Sequence, residues 1–317
     1  MGPYSALQKE NDHIQLLFPS PVNWGSLKLC DLVVMQRACS PEHLQIMNMA
    51  KDLGIPVIFE IDDDNLAVPK DNPTYPLYSQ MAVKDAIVKL ARGADAITCS
   101  TEFLRTKYGI YNKNTFLIPN ALDNTLIPKR SIPATPRNKM VLWRGTSTHE
   151  RNLEVIQEAI VASAAAHPDW VYGFLGWDPY RITERFRNHQ IYPQYHLYDY
   201  FKALCQIRPT TMYYSLANND HALSRSHISW LEATYADTMM IGPDIPEFHR
   251  PGMLNFNSPK DFLDKLEAVI NGQVDVDKQV KESWDYIQEF YLLSKINKLR
   301  KSLIEMLVYG DTRECSL

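Results

Sequence analysis

Short apolar, β-rich runs alternate with helix-like stretches along almost the whole of this 317-residue chain, and the alternation runs twice. Strands separated by helices give parallel sheets with right-handed crossovers. The first series reads strand Asp31 to Arg37, helix Pro41 to Leu53, strand Pro56 to Ile61 and a long helix from about Tyr75 to Gly93. Strand Ala96 to Ser100, a short helix from Thr101 and strand Thr115 to Ile118 complete it. Asn124 to Asn138 then holds three prolines and no apolar periodicity, the composition of an interdomain linker. The second series reads strand Met140 to Trp143, helix Asn152 to His167, strand Trp170 to Leu175 and helix Tyr198 to Ile207. Strand Thr211 to Leu216, helix Leu223 to Ala236, strand Met239 to Gly242 and helix Ser258 to Asn271, with Ser258 as N-cap, follow. From about Lys278 the chain reads as helical to near Tyr309.

The expected architecture is therefore α/β, with two Rossmann-like domains, 1–130 and 131–285, and a terminal helical segment, 286–317. One irregularity lies at the start. The only glycine turn there is Gly2 to Ser5, with no strand before it. Either the first domain is trimmed, or His13 to Phe18 (HIQLLF) is its first strand.

Bulk properties narrow the function classes. Hydrophobic residues at 45% and charged residues at 22% suit a packed core. A formal net charge of -4 argues against a surface built throughout for nucleic acid and leaves a local basic stripe open. No apolar run approaches the ~20 residues of a membrane span, and MGPYSALQKE lacks the pattern of a secretory signal. Cys30, Cys39, Cys99, Cys205 and Cys315 are odd in number, widely spaced and without a CxxC, which argues against zinc and against a disulfide framework. A reducing, cytoplasmic compartment is the expectation.

Two segments carry candidate chemistry. In Trp143 to Leu153 (WRGTSTHERNL) a strand ends in a glycine turn with small hydroxyl residues before a helix. Such a turn exposes backbone N–H groups that can hold a diphosphate, with Arg144 adding a charge-assisted contact. His149 either faces the ligand or caps the helix. In His221 to Phe248, Ser224 and Glu232 stand eight apart, on one face of the expected helix, with Arg225 and Ser226 in its first turn. Glu232, alone in the apolar WLEATYA, is either on a solvated face or a bidentate acceptor for vicinal hydroxyls such as those of a ribose. In the first half, Asp62, Asp63 and Asp64 follow one strand, Ser100 another and Asn120 a third, where ligands gather on parallel sheets.

These segments resemble the group 1 (family-4-like) glycosyltransferases of the GT-B fold, in particular a subgroup of bacterial and phage surface-glycan enzymes. That subgroup opens its donor domain with a GTxTH turn followed by (D/N)L, as Gly145 to Leu153 do here. Its (K/R)S..KWLE helix is matched by Arg225, Ser226, Trp230, Leu231 and Glu232, and its later A..G.P.I pattern by Ala236 and Ile241. VIFEIDDD, ITCSTEFL and LIPNALD match its DIDD, v.vSt..l and v.pN.ld segments, so the resemblance spans about Asp31 to Ile270. It implies an acceptor-side domain and a nucleotide-sugar domain facing across a cleft that holds the active site, with the C-terminal helix packing back.

It also implies roles. Gly145 and Thr146 would approach the donor diphosphate, Arg225 and Ser226 would bind its phosphates, and Glu232 would take the ribose hydroxyls. Asp62, Asp63 and Asp64 would face the cleft as candidate catalytic groups, and Trp177 and Tyr198 would either hold the base by stacking or pack. The sugar nucleotide is then a substrate and no cofactor is called for. Transfer would be retaining and metal-independent, with helix N-termini and Arg225 stabilising the leaving diphosphate. In the inverting alternative, Asp62 or Asp63 would be the general base. The expected acceptor is a glycan, and a hydroxymethylated pyrimidine of phage DNA is the alternative.

The chain departs from the family's pattern at several places. Ser224 replaces the first glutamate of E-x7-E, Asp237 the glycine, Met239 the proline of the A..G.P.I pattern, and Ser215 a strand-end proline. The loss at Ser224 is what a non-catalytic sugar-nucleotide or glycan-binding relative would show. A further rival takes Asp62 to Asp64 as the metal-binding DxD of a GT-A enzyme. The terminal helix alternates Lys295, Lys298, Arg300 and Lys301 with Ile296, Leu299, Leu303 and Leu307. It either packs across both domains or offers a surface to anionic membrane or nucleic acid.

Overall fold

The computed structural model describes residues 2–10, 24–125, 127–133 and 135–310. The alternative first strand, His13 to Phe18, and Cys315 lie outside the described residues. Two compact units form: one from the described residues of Met1–Asn120, Leu223–Ser226 and Leu293–Leu317, the other from those of Ala121–Ala222 and His227–Leu292.

The first unit carries β1 (Val33–Gln36), β2 (Val57–Ile61), β3 (Ala96–Cys99) and β4 (Thr115–Leu117), all parallel and in chain order across the sheet. β2 and β3 are apolar almost throughout because helices cover both faces of a parallel sheet. The helix Pro41–Asp52 starts where Ser40 and His43 form a reciprocal capping box with proline in the first turn. The long helix expected from Tyr75 is two: Tyr75–Tyr78 and Met81–Gly93, separated where Gln80 is extended. Met81–Gly93 buries Val83, Ala86, Ile87, Leu90 and Ala91, the spacing of a single helical face. Thr101 caps Glu102–Gly109 by accepting from the Leu104 amide.

Gly2 to Ser5 are not a turn but part of the helix Gly2–Glu10. Tyr4 donates to Glu60 of β2 at 2.8 Å, and Asn297 of the terminal helix Leu293–Tyr309 donates to the Pro3 carbonyl at 2.9 Å. That terminal helix buries Leu293, Ile296 and Leu303 and leaves Lys295, Lys298 and Lys301 exposed.

The second unit carries β5 (Asn138–Arg144), β6 (Val171–Leu175), β7 (His189–Tyr192), β8 (Pro209–Tyr213), β9 (Met239–Pro243) and β10 (Met253–Phe256). All run parallel, in the order β10-β9-β8-β5-β6-β7. Successive side chains of a strand point to opposite faces. So Met140 and Leu142 of β5 join one core with Trp230 and Met212, while Val141 and Trp143 join the other with Phe174 and Tyr213. The strand order reverses between β5 and β8, the switch point at which such sheets bind ligands.

Two findings concern this unit. Residues of the segment read as an interdomain linker make contacts within it. Arg130 Nε donates to the Tyr235 carbonyl at 3.1 Å with its guanidinium 4.2 Å from the Trp284 ring centre, and Arg137 Nε donates to the Asp237 carbonyl at 2.6 Å. The helix expected over Leu223 to Ala236 is broken into Asp220–Leu223 and Ile228–Tyr235. Asp237, where the resembling family has glycine, sits at φ 59. Asp is among the few residues that tolerate this region, and its carboxylate is held by Arg208 at 2.7 Å and Arg137 at 3.1 Å.

Candidate functional site

The switch point is built from the ends of β5 and β8. After Arg144 the chain turns at Gly145, whose amide donates to the Leu175 carbonyl at 3.0 Å, so the loops after β5 and β6 leave the sheet together. Glycine is required here. A Cβ on Gly145 would lie 2.5 Å from the Trp143 ring, and one on Gly176, at φ +96, would lie 2.6 Å from the Gly145 carbonyl oxygen. Beyond the turn the Thr146 and Thr148 hydroxyls are 2.8 Å apart. His149 closes a single 3-10 turn, with Nδ1 3.4 Å from both the Tyr214 hydroxyl and Asn152 Nδ2. Tyr214 follows β8 and stacks on Phe248 at 5.6 Å between ring centres. Asn152 ties the two strand ends together: its side-chain oxygen accepts from the Ala217 amide at 2.9 Å, and its carbonyl accepts from Ser215 Oγ.

Beside this turn stands a carboxylate with only 13% of its side chain exposed. Glu232 lies on Ile228–Tyr235, a helix buried on nearly every side. Its Oε2 is 2.7 Å from Arg144 Nε and accepts from the Tyr200 hydroxyl at 2.9 Å. Burial pushes the Glu232 carboxyl above its ordinary range, while Arg144 and the hydrogen bond from Tyr200 oppose the rise. Burial and the adjacent Glu232 charge push the Tyr200 phenol well above 10.0. Burial acts to lower Arg144, but Glu232 more than offsets it, so the guanidinium stays charged.

In the first unit the three consecutive aspartates each meet a different cation. Asp62 takes a forked contact from Arg37, with Nε to Oδ1 at 2.7 Å and Nη2 to Oδ2 at 2.5 Å. Asp63 pairs with Arg225 at 2.9 Å and lies 3.6 Å from Arg37. Asp64 is fully buried and pairs with Lys107 at 2.6 Å. The Asp64 amide donates to Ser224 Oγ at 3.0 Å, Thr101 Oγ1 donates to the Ser224 carbonyl at 3.3 Å, and Asn120 Nδ2 donates to Ser226 Oγ at 2.7 Å. The carboxyl ends of β2, β3 and β4 thus converge on the segment Leu223–Ser226.

No protein-family model matches the chain, and no curated protein matches it in sequence. Solved structures do match. HepE from Anabaena, in complex with UDP and glucose, superposes with a TM-score of 0.68 at 11% identity, covering 95% of this chain and 88% of its own. A glycosyltransferase from Rickettsia africae gives 0.65 at 11% identity, covering 97% and 88%. TarM of S. aureus gives 0.64 at 15% identity over 86% of this chain and 54% of its own, so this chain spans about half the length of TarM. The chain has the GT-B fold. The GT-A rival is thereby set aside, and the three aspartates it would use as metal ligands are engaged by Arg37, Arg225 and Lys107.

On this GT-B frame the expected residues separate into two sets. Arg144, Gly145, Thr146, His149 and Glu232 come together at the switch point of the second unit. Asp62, Asp63, Ser224, Arg225 and Ser226 come together in the first. Ser224 and Glu232 do not share a helical face, because Ser224, Arg225 and Ser226 all precede Ile228–Tyr235. Asp64 has no exposed surface and pairs with Lys107. Trp177 and Tyr198 are exposed, at 41% and 55%.

Sequence reasoning missed Tyr200, which reaches Glu232 from the helix Leu197–Ile207. Tyr198 lies two positions earlier, and a step of two turns a side chain to the far side of a helix. It also missed Arg37, Lys107, Asn152 and Tyr214. Only Tyr214, an aromatic residue at the carboxyl end of a strand, carried a signal that position alone makes visible.

Proposed function

We propose that this chain is a glycosyltransferase that moves a sugar from a nucleoside-diphosphate sugar to a hydroxyl of a glycan acceptor. The observation that carries the reading is the glycine turn at the switch point with a largely enclosed carboxylate beside it, Glu232 at 2.7 Å from Arg144. Gly145 and Thr146 take the diphosphate and Glu232 the ribose, with His149 over the turn. HepE holds UDP and glucose, and TarM of S. aureus is solved with UDP and a GlcNAc-glycerol, which supports a sugar nucleotide as donor and a polyol or glycan as acceptor. The formal net charge of -4 sits poorly with duplex DNA as acceptor.

In the reaction the bond from the anomeric carbon to the diphosphate breaks, and a bond to the acceptor oxygen forms. The acceptor proton leaves with the diphosphate in a retaining transfer. Preorganised donors stabilise the charge growing on the leaving group. We propose that no metal is needed, since Asp62, Asp63 and Asp64 are committed to cations of the chain itself. Among the described residues no helix is long and apolar enough to cross a membrane.

A second reading has its own observation. Ser224, at the place of the family's first glutamate, is fully buried with its hydroxyl accepting from the Asp64 amide. It supplies no carboxylate to a donor sugar, as in a chain that binds sugar nucleotides without transferring them. One experiment tests both: thermal stability and nucleotide release with a panel of nucleotide sugars, with and without EDTA. A ligand at ~100 times its Kd stabilises by about 2.7 kcal/mol. Transfer requires a shift with one donor, nucleotide release with an acceptor glycan, and loss of both in Glu232→Ala. A shift without release under any acceptor points to the binding module. No shift with any nucleotide sugar sinks both.

A further inference from the structure

We propose that a cavity at the far end of the second unit's sheet from the Gly145 turn is an anion site, suited to a small molecule that carries two or three linked phosphates. The cavity, of about 510 Å³, is lined among others by Lys129, Asn138, Lys202 and Arg208. Its size is that of ordinary small-molecule sites. Asn138 opens β5 and Arg208 immediately precedes β8, whereas Arg144 closes β5. The two ends of this strand lie about 20 Å apart, so the inference does not rest on the donor-site reading.

The charges around the cavity do not balance. Three guanidiniums share the Asp237 carboxylate: Arg208 at 2.7 Å, Arg137 at 3.1 Å and Arg130 at 3.6 Å. Their side chains are only 11%, 12% and 16% exposed. Arg137 also reaches Asp277 at 2.5 Å, but that carboxylate is 87% exposed and screened by water. Burial holds Arg130 below its ordinary range, with Asp237 opposing the fall and the Arg137 charge adding to it. Lys129 and Lys202 bring two more cations to the cavity wall, and among the described residues no acidic side chain lines it. An excess of one sign of charge in a partly enclosed space concentrates ions of the other.

Arg208 stands where the backbone favours another residue. It ends Leu197–Ile207 at φ 40, in the left-handed region that glycine adopts freely and arginine does not. Its Nε and Nη2 donate to Asp237 at 3.0 and 2.7 Å, and Nη1 donates to the Thr135 carbonyl. A guanidinium has five N–H groups, which leaves two on a side chain that lines the cavity. Capping accounts for the other two arginines: Arg130 donates to the Tyr235 carbonyl and Arg137 to the Asp237 carbonyl, at the end of Ile228–Tyr235. It does not account for Lys129 and Lys202, neither of which forms an ion pair among the described residues. Two lysines and a guanidinium suit several negative charges held close together, and lysine takes phosphate as a point charge. A single carboxylate would leave most of the excess unmatched.

The test is calorimetric titration of inorganic tripolyphosphate into the whole chain at about 0.15 M salt, where long-range attraction between exposed charges is screened. The same titration is run on Lys129→Ala/Lys202→Ala and on a control with the same change of charge, Lys260→Ala/Lys281→Ala, whose lysines are exposed and do not line the cavity. All four lysines are exposed, so both variants should fold. The wild type should bind, and Lys129→Ala/Lys202→Ala should lose about tenfold or more in affinity, as expected for hydrogen bonds between charged groups. The control should change by less than about twofold. Absence of binding by the wild type overturns the site. So do equal losses in the two variants, which mean that the phosphate answers to overall charge. Unchanged affinity in Lys129→Ala/Lys202→Ala overturns it as well, since the phosphate is then held elsewhere, the Gly145 turn included. Sulfate binding as tightly as tripolyphosphate overturns the class of ligand.

Discussion

Arg225 Nη1 lies 2.9 Å from Asp63 Oδ1, closing a pair between residues 162 positions apart, with side chains only 19% and 15% exposed. Breaking a largely buried pair leaves the surviving charge desolvated. Asp63→Asn and Arg225→Ala should each destabilise the chain by about 2 kcal/mol. Because each removes the same interaction, the double variant should fall short of the sum by about 1 kcal/mol or more. Urea denaturation of the four proteins checks this, and strict additivity means that the pair contributes nothing.

Asp64 and Lys107 make a sharper case. Asp64 is fully buried, and its carboxylate meets Lys107 at 2.6 Å. Lys107→Ala removes the cation beside that buried charge and should cost about 3 kcal/mol or more of stability. The same variant, assayed at a temperature where it remains folded, should bind UDP as the wild type does. A large loss of UDP affinity without loss of stability would return Asp64 to the candidate site.

What the sequence showed, and what it hid, follows from where information about a residue resides. VIFEI and AITC read as strands because both faces of a parallel sheet are buried, which leaves a nearly continuous apolar run. His189–Tyr192 was missed because it is an edge strand with exposed side chains, and a run that buries little has no apolar pattern. The residues at Leu223 to His227 have nothing in their composition that forbids a helix. What breaks it there is tertiary, with Ser224 and Ser226 drawn to the Asp64 amide and the Asn120 side chain. Glu232 stood out because it is a lone carboxylate in an apolar helix. Its partners, Arg144 and Tyr200, are 88 and 32 positions away and carry no mark of that pairing. The three aspartates read as one group, yet successive side chains point in different directions and each finds its own cation.

The loop after β6 constrains the Gly145 turn. Gly176 sits at φ +96, and a Cβ there would come within 2.6 Å of the Gly145 carbonyl oxygen, a backbone atom without a side chain's freedom to move away. Gly176→Ala should therefore cost about 2 kcal/mol or more, from the backbone conformation and the clash together. It should also weaken UDP binding, since the displaced atom belongs to the proposed diphosphate turn. Gly272→Ala, at φ +69 with open space around it, is the control: it has the conformational penalty without the clash. Equal effects of the two on UDP affinity would mean that the Gly145–Gly176 approach has no part in the site.

His227 gives the chain a pH dependence whose sign the structure fixes. The ring is fully buried, edge-on to Tyr291 at 4.6 Å, with Nδ1 against the Glu247 carboxylate. Among the described residues Nε2 has no hydrogen-bond partner. Protonation would place an N–H there without an acceptor, and burial accordingly lowers the pKa from 6.5, with Glu247 pulling the other way and Arg250 adding to the fall. The unfolded chain, with an ordinary histidine near 6.5, therefore takes up its proton first as the pH drops. Stability contributed by the neutral ring is fully present above about pH 6.5 and is lost as the pH falls from there towards the folded value. His227→Asn should be less stable than the wild type at pH 7.5, by about 1–3 kcal/mol for the lost contact with Glu247. It should also lack this component of the decline between pH 6.5 and 5, so the two melting temperatures converge in acid. Melting curves recorded every half unit of pH decide the matter. If both proteins decline in parallel over that range, the ring takes up its proton as readily in the folded chain as in the unfolded one, and burial does not hold it neutral.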